Sequence, residues 1–326
     1  MSDHHLPAWL PLVSEGRVAA GGDKLRHWGI SETWRIRWAD GSSSIVKRGA
    51  GDEALALDVY EELLIPYAID APRLTAAHRG DGFVVLGFVD VGPHSLAERP
   101  SAEGWIAAAR LLARLRTAAQ SRLGTAAQDR SGTAAQDRSG TAAQDRLGTA
   151  ARFRFGLAEI VGTRARAADA LAAVRPDLAG ALDACEPLLA PSFERLTRTV
   201  PETIIHGDFE AKNIVLGGTG PVAVDWSAAQ VGSHLGDLYG LIRDAGLAGG
   251  PVGDIVAAYA DEAPSTVDLE WQLALGGVAW TLRALRWVLE EGIHVVPEST
   301  TWIDELVERA GNVTADLRRR QPISPS

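Results

Sequence analysis

The sequence has a single cysteine, Cys185, and this scarcity excludes two kinds of site. One thiol cannot form a disulfide within the chain, and it cannot supply the pair of thiols that metal and redox motifs use. A lone cysteine also suits a reducing compartment. We therefore expect a cytoplasmic protein in which Cys185 is a small buried residue.

Long apolar runs are also lacking. No stretch of the sequence is apolar over the length that a bilayer span needs. Residues 1–12 lack a basic segment followed by an apolar core, so no signal peptide is predicted. We therefore expect no membrane partner.

Basic residues are too few to balance the acidic ones. The chain has 32 lysines and arginines against 42 aspartates and glutamates, a net charge of −10. Binding to a phosphate backbone needs a basic surface, so nucleic acid is not expected as a partner. The acidic balance is compatible with a cationic small molecule, although it also serves solubility alone.

The most informative motif is His-Gly-Asp-Phe-Glu-Ala-Lys-Asn at 206–213. It places Asp208 five residues before Asn213, and Asp225 follows about a dozen residues later. Phosphoryl transfer needs a carboxylate that orients the attacking hydroxyl and accepts its proton. It also needs oxygen ligands that hold Mg²⁺ on the nucleotide phosphates. Asp208 suits the first role, and Asn213 and Asp225 suit the second.

The residues around this motif predict a β-hairpin. Two short apolar runs, 214–216 and 222–224, are separated by a glycine-rich turn. If the runs pair, Asn213 before the first lies beside Asp225 after the second, and one metal could touch both. Any one of these polar residues alone would indicate only an ordinary loop.

The motifs His-Gly-Asp at 206–208 with Asn213, Val-Asp-Trp at 224–226 and Gly-Asp-Leu at 236–238 resemble those of the aminoglycoside phosphotransferase and choline kinase superfamily. Protein kinases usually have Arg at the position of Gly207, and Phe-Gly after the metal-binding Asp. Both differences indicate the small-molecule branch. The resemblance covers roughly residues 20 to 310 and is strongest in the catalytic segment.

This resemblance implies an α+β, bilobal protein-kinase-like fold. A small β-sheet lobe with one helix, residues 1–91, would bind the nucleotide. A larger, mainly helical lobe, residues 92–326, would supply catalysis and acceptor binding, with the active site in the cleft between the lobes. A chain of 326 residues is long enough for two lobes.

The resemblance also implies a reaction. ATP or GTP with Mg²⁺ would donate phosphate to a hydroxyl of an aminoglycoside-like antibiotic or a related small metabolite. Choline, sugars and homoserine-type metabolites fit the same scaffold, and the fold does not choose among them. A non-catalytic nucleotide-binding protein is the alternative from another class, and the intact set of Asp208, Asn213 and Asp225 argues against it.

The N-terminal third contains candidate nucleotide contacts. Residues 34–38 and 44–47 are predicted to be strands joined by a turn. Lys47 ends the second strand, at the position of the family's phosphate-binding lysine. Glu53, on a helix predicted from 52 to 64, matches the family's acidic partner best, with Glu61 and Glu62 as alternatives.

Two further segments have family counterparts. Residues 28–33 would cover the phosphates, with Gly29, Ser31 and Thr33 as candidate contacts, although a single glycine differs from the glycine-rich loops of protein kinases. Residues 83–90 form an apolar strand that resembles the interlobe hinge. Its candidate base-binding residues are Leu86, Phe88 and Val89.

An unusual repeat follows a helix predicted over 101–116. An eight-residue unit, first seen as Thr-Ala-Ala-Gln-Ser-Arg-Leu-Gly, recurs over about 117–151. On a helix this period builds no fixed apolar stripe, and each copy ends in a helix-weakening glycine. We interpret the repeat as an insertion, either a mobile arm or a solvated helix, with a partner-recruiting element as the alternative.

The remaining candidates support the site. The resemblance implies that Asp237 accepts backbone hydrogen bonds from the catalytic loop and that His206 supports it. A stripe of apolar residues over 271–289 predicts a long buried helix. In the family, acids of this region bind cationic acceptors, although they could equally be solvated helix faces. These acids are Asp261, Glu262, Asp268, Glu270, Glu290, Glu291, Asp304, Glu305 and Glu308.

Overall fold

The structure, a computed structural model, describes residues 6–133, 151–263 and 268–321. The chain divides into two compact units. The first comprises the residues up to 99 together with 212–228, and the second comprises 100–211 and 229 onwards. The first unit is built on a β-sheet and the second is mainly helical, so the predicted α+β class is confirmed.

A five-stranded antiparallel sheet forms most of the first unit, in the order β1-β2-β3-β5-β4. Trp34, Ile36 and Trp38 alternate along β2 and bury one face of it with Val46 and Val85. This alternation confirms the predicted strand pair. The strands are β1 (Ala19–Trp28), β2 (Ser31–Trp38), β3 (Ser43–Ala50), β4 (Leu74–Gly80) and β5 (Phe83–Val89).

The helix predicted over 52–64 forms, but it consists of three successive segments with different hydrogen-bonding patterns. A 3₁₀ turn at Gly51–Ala54 leads into α1 (Leu55–Val59), and a π-turn at Tyr60–Leu64 completes it. The large side chains of Leu57, Leu63 and Leu64 are buried along this helix. A sequence pattern interpreted with a uniform 3.6-residue period cannot predict the 3₁₀ and π turns of this helix.

The predicted hairpin is confirmed. Strand β7 (Ile214–Gly217) pairs with β8 (Gly220–Ala223), with Ile214 opposite Ala223. The hairpin also binds the segment after β5, because the Leu216 amide donates to the His94 carbonyl over 2.9 Å. A Cβ at Gly217 would lie 2.5 Å from the Val91 carbonyl oxygen, so this approach requires glycine.

Helices pack around α7 in the second unit, and its predicted stripe is buried, from Trp271 through Leu275 to Leu285. No helix among the described residues is long and apolar enough to cross a membrane. The helices are α2 (Ala102–Thr133), α3 (Leu157–Val174), α4 (Glu186–Thr199), α5 (Gly236–Leu247), α6 (Val252–Glu262), α7 (Leu269–Trp287), α8 (Ile293–Val295) and α9 (Trp302–Arg320), and the strands are β6 (Thr203–Ile205) and β9 (Gln230–Gly232).

Helix α2 extends beyond the predicted 101–116 and takes in the first repeat copies. The Ser101 hydroxyl accepts the Gly104 amide over 3.0 Å, as an N-cap does. Ala119 and Leu123 of the first copy are buried, which the eight-residue period alone did not predict. Residues 134–150, with the later copies, lie outside the described part of the chain.

Candidate active site

Lys47 is the centre of a charged cluster in the first unit. It lies on β3 and is only 8% exposed. Its Nζ atom is 2.5 Å from Glu53 Oε2 and 2.5 Å from Asp225 Oδ1. The structure thus brings together three residues that the sequence separates by up to 178 positions. Of the alternative acidic partners, Glu53 is the one in contact.

This geometry changes the acid–base properties of the cluster. Burial alone lowers the pKa of Lys47, but the nearby charges of Asp225 and Glu53 outweigh it and raise that pKa. Burial raises the pKa of Glu53, Asp225 raises it further, and Lys47 opposes both. Burial, helped by Asp225, also raises the pKa of Tyr60. Lys47 therefore remains a cation at neutral pH.

The hairpin presents the two candidate metal ligands. The Val224 amide donates to the Asn213 backbone oxygen over 2.9 Å, which holds the ends of β7 and β8 together. Asp225 follows with φ of +66°, a left-handed conformation that aspartate tolerates better than most residues. Both residues line the same cavity. An amide and a carboxylate oxygen form a donor set that suits Mg²⁺ when phosphate oxygens complete it.

A cavity of about 400 Å³ in the first unit is lined by Lys47 and Asp225 of this cluster. The candidate base-binding residues Leu86, Phe88 and Val89 also line it. A cavity with both apolar and charged lining matches a base attached to phosphates. Further apolar lining residues include Leu25, Ile45, Ala56, Val215 and Val224.

The predicted phosphate-covering segment is short in the structure. Trp28 pairs with Ser31 across β1 and β2, which leaves only Gly29 and Ile30 in the turn. Ser31 is buried in the sheet and is not among the residues that line the cavity, whereas Thr33 lines it. We therefore expect Ser31 to act on a nucleotide through the position of this turn rather than by direct contact.

Asp208 lies in the second unit, on a loop that follows β6. The Asp237 carboxylate, at the start of α5, accepts the amides of His206 over 2.7 Å and Gly207 over 2.9 Å. His206 is buried, and its Nδ1 atom accepts the Asp208 amide over 3.3 Å. His206 and Asp237 thus both contact the backbone that carries Asp208.

The sequence analysis missed a second anchor of this loop. The Ala211 amide donates to Asp244 Oδ2 over 2.8 Å, and Arg243 pairs with Asp244 and Glu210. Arg243 also stacks over the Trp280 ring at 4.1 Å. Asp244 lies seven residues after Asp237, on the same face of α5, and this spacing was the available signal.

Most of the acids predicted to bind a cationic acceptor are paired with arginines. Glu262, for example, contacts Arg110 and Arg114. A cationic acceptor would have to compete with these arginines for the carboxylates. The other pairs are Asp268–Arg195, Glu270–Arg320, Glu290–Arg286, Glu290–Arg166, Asp304–Arg175 and Glu305–Arg309.

A phosphoryl-transfer site needs a lysine for the phosphates, oxygen ligands for the metal and a carboxylate for the acceptor hydroxyl. The candidates for these are Lys47 with Glu53, Asn213 with Asp225, and Asp208. The family model described as "Phosphotransferase enzyme family" matches residues 27–269, more than half of the chain. The chain belongs to this family. The phosphotransferase is thus an enzyme, and the predicted resemblance is confirmed. A search among curated proteins found no match.

Solved structures share the fold of this phosphotransferase. One described as a fructosamine-3-kinase from Thermobifida fusca has a TM-score of 0.57 at 19% identity, covering 95% of this chain and 99% of that chain. A thermostable mutant of aminoglycoside phosphotransferase APH(4)-Ia, with AMP-PNP and hygromycin B, has a TM-score of 0.55 at 12% identity, covering 91% of this chain and 94% of that chain. APH(3'')-Id from Streptomyces rimosus, with ADP and streptomycin, has a TM-score of 0.54 at 18% identity, covering 86% of this chain and 98% of that chain. The predicted protein-kinase-like fold is confirmed.

Proposed function

We propose that this phosphotransferase moves the γ-phosphate of ATP or GTP onto a hydroxyl of a small molecule, either an aminoglycoside-like antibiotic or a related metabolite. The first unit's cavity carries the proposal. It is apolar at Leu86 and Phe88 and charged at Lys47 and Asp225, as a nucleoside triphosphate requires. The nucleotides in the similar structures, AMP-PNP and ADP, support the same assignment.

Each residue predicted for the nucleotide site has a role in this proposal. Lys47 binds the α- and β-phosphates, and Glu53 holds its ammonium in place. Asn213 and Asp225 hold Mg²⁺, which offsets phosphate charge when it is bound. The base contacts Leu86, Phe88 and Val89, while Ser31 acts indirectly by placing the turn above the phosphates.

Asp208 acts on the acceptor. Its carboxylate orients the attacking hydroxyl and accepts the proton that leaves as the new phosphate ester forms. His206 and Asp237 keep the loop in one conformation through the backbone contacts described above. In this proposal, residues of the first unit bind the nucleotide, and the catalytic base, Asp208, belongs to the second unit.

The similar structures favour two classes of acceptor. Hygromycin B and streptomycin, in the similar structures, favour an aminoglycoside-like compound. The fructosamine-3-kinase favours a sugar-derived metabolite instead. The arginine pairs that occupy the candidate acceptor-binding acids mean that neutral hydroxyl compounds belong in any screen alongside cationic ones.

The proposal is tested by a nucleotide-consumption screen. The purified protein is given ATP or GTP with Mg²⁺ and a panel of aminoglycosides, sugars, fructosamines, choline and homoserine, and ADP or GDP release is measured above the rate with water. We expect at least one hydroxyl compound to stimulate release and to gain phosphate by mass spectrometry. Nucleotide binding without stimulation by any compound would favour the non-catalytic alternative.

A further inference from the structure

Arg26 is a cation of the cavity that the roles above leave unassigned. It lies on β1, where a bulge leaves Leu25 without a partner in the β1–β2 register. Bulges re-aim side chains, and here two successive residues, Leu25 and Arg26, line the same cavity. The Arg26 guanidinium lies over the Trp28 ring, 5.1 Å from its centroid.

Its contact with the protein is a weak one. Arg26 Nη1 lies 3.4 Å from Asp225 Oδ2, near the outer limit of a hydrogen bond. No other hydrogen bond or ion pair joins Arg26 to any residue within the described ranges. A guanidinium has five N–H donors, so most of its fork remains available.

Arg35, in the same cavity, makes more hydrogen bonds to the protein than Arg26 does. Its guanidinium contacts both carboxylate oxygens of Asp90, at 2.7 and 3.3 Å, and the Gly92 carbonyl at 2.5 Å. Those contacts fix Arg35 as part of the framework. Arg26, by contrast, is held by ring stacking and one long contact, so most of its donors have no acceptor among the described residues.

The short turn between β1 and β2 explains why such a residue is useful. Glycine-rich loops bind phosphates through several backbone amides. Here only Gly29 and Ile30 form the turn. Lys212 also lines the cavity, and its Nζ lies 6.0 Å from the centroid of the same Trp28 ring. Two cationic side chains of the cavity lining, Arg26 and Lys212, thus lie near the Trp28 ring.

We propose that Arg26 binds the β- and γ-phosphates of the donor nucleotide directly, from its position between Trp28 and Asp225. This inference rests on the proposed function, because it assumes that a nucleoside triphosphate occupies the cavity. The planar fork of arginine suits two phosphate oxygens at once, and stacking on Trp28 orients it before the nucleotide arrives.

The test measures nucleotide affinity by calorimetry for the wild type and for Arg26→Gln. Three ligands are used: MgATP, ATP with EDTA, and adenosine. We expect Arg26→Gln to bind ATP about ten- to a hundred-fold more weakly both with Mg²⁺ and in EDTA, since charge-assisted contacts are lost. Adenosine, which has no phosphate, should bind both proteins equally.

The EDTA and adenosine arms separate this role from two others. If Arg26 acts only through Asp225 and its metal, the affinity for ATP in EDTA will not change, and the proposal is wrong. If Arg26 merely supports the cavity, adenosine binding will fall together with ATP binding, which also overturns it. A wild type that binds neither ATP nor GTP under either condition would instead contradict the proposed function itself.

Arg17 offers a matched control. It stacks over Trp38 at 4.2 Å and pairs with Asp40 at 3.1 Å, which is the same chemistry outside the cavity. Arg17→Gln should bind all three ligands as the wild type does. Arg26→Lys should recover part of the ATP affinity, because the charge returns without the fork. Equal losses in Arg17→Gln and Arg26→Gln would refute a direct phosphate contact.

Discussion

Replacing Lys47 with methionine should destabilise the protein and make its stability depend on pH. The substitution keeps much of the side-chain volume but removes the charge that lies 2.5 Å from both Glu53 and Asp225. Two carboxylates would then face each other in a poorly hydrated site. Removing one partner of a fully buried ion pair costs about 3–5 kcal/mol.

The expected loss is smaller here because the carboxylates keep some contact with water. The side chains of Glu53 and Asp225 are 22% and 20% exposed, so we expect a loss of about 2–3 kcal/mol in unfolding free energy at pH 8. That corresponds to a fall of about 3–5 °C in Tm for a protein of this size. MgATP should also cease to raise the Tm.

The pH dependence gives the sharper test. The pKa of Glu53 is already raised above its usual 4.5, and without Lys47 it should rise further. A carboxyl whose folded pKa is raised binds its proton more readily in the folded state, so stability falls as pH rises through that range. The stability deficit of Lys47→Met should therefore shrink as pH is lowered from 8 to 5.

Thermal and urea unfolding at both pH values measure this deficit. Lys24→Met is the matched control, since Lys24 pairs with Glu32 at 2.8 Å on the same sheet but is 45% exposed. An exposed pair contributes under about 1 kcal/mol, so this variant should unfold like the wild type. An equal effect in both variants, or a deficit for Lys47→Met that does not change with pH, would refute the reasoning.

Three further predictions concern the second unit. Asp237→Asn should cost about 2–3 kcal/mol in urea unfolding and slow turnover, because an amide cannot accept both loop N–H groups as the carboxylate does. Burial, helped by the charges of Arg116 and Arg283, lowers the pKa of His234 to about 3, so stability should be lost as pH falls below 6.5. His234→Gln should remove about 2 kcal/mol of the loss between pH 6.5 and 5, seen in urea titrations at each pH. In thermal scans, Gly276→Ala should destabilise the protein by at least about 2 kcal/mol, because its Cβ would lie 2.5 Å from the Leu235 backbone. Its control is Gly311→Ala, whose Cβ meets nothing within 4 Å and which should stabilise α9 by about 0.5–1 kcal/mol.

Local patterns were enough to predict the parts of the fold that depend on neighbours in sequence. Alternation along 34–38 predicted β2, and two apolar runs around a glycine turn predicted the β7–β8 hairpin. Glu53 was selected over Glu61 and Glu62 through the family resemblance. These features could be predicted because strand period and turn chemistry act within about ten residues.

Contacts between distant residues could not be predicted in this way. Nothing near Arg26 in sequence indicates that a bulge turns it toward Asp225, 199 positions away. The extension of α2 through the first repeat copy depends on burial of Ala119 and Leu123 by other elements of the unit. The anchor at Asp244 likewise requires the three-dimensional path of the loop.

We propose above that Asp208 is the base that addresses an acceptor hydroxyl, while residues of the first unit bind the nucleotide. The most direct measurement compares Asp208→Asn with the wild type for MgATP affinity and for acceptor-dependent transfer of labelled γ-phosphate. We predict that transfer falls at least about a thousand-fold, since proton acceptance and orientation are both lost, while the MgATP Kd stays within about three-fold. Retained transfer would remove Asp208 from catalysis, and loss of MgATP binding in a folded Asp208→Asn protein would contradict the proposed division between nucleotide and acceptor roles.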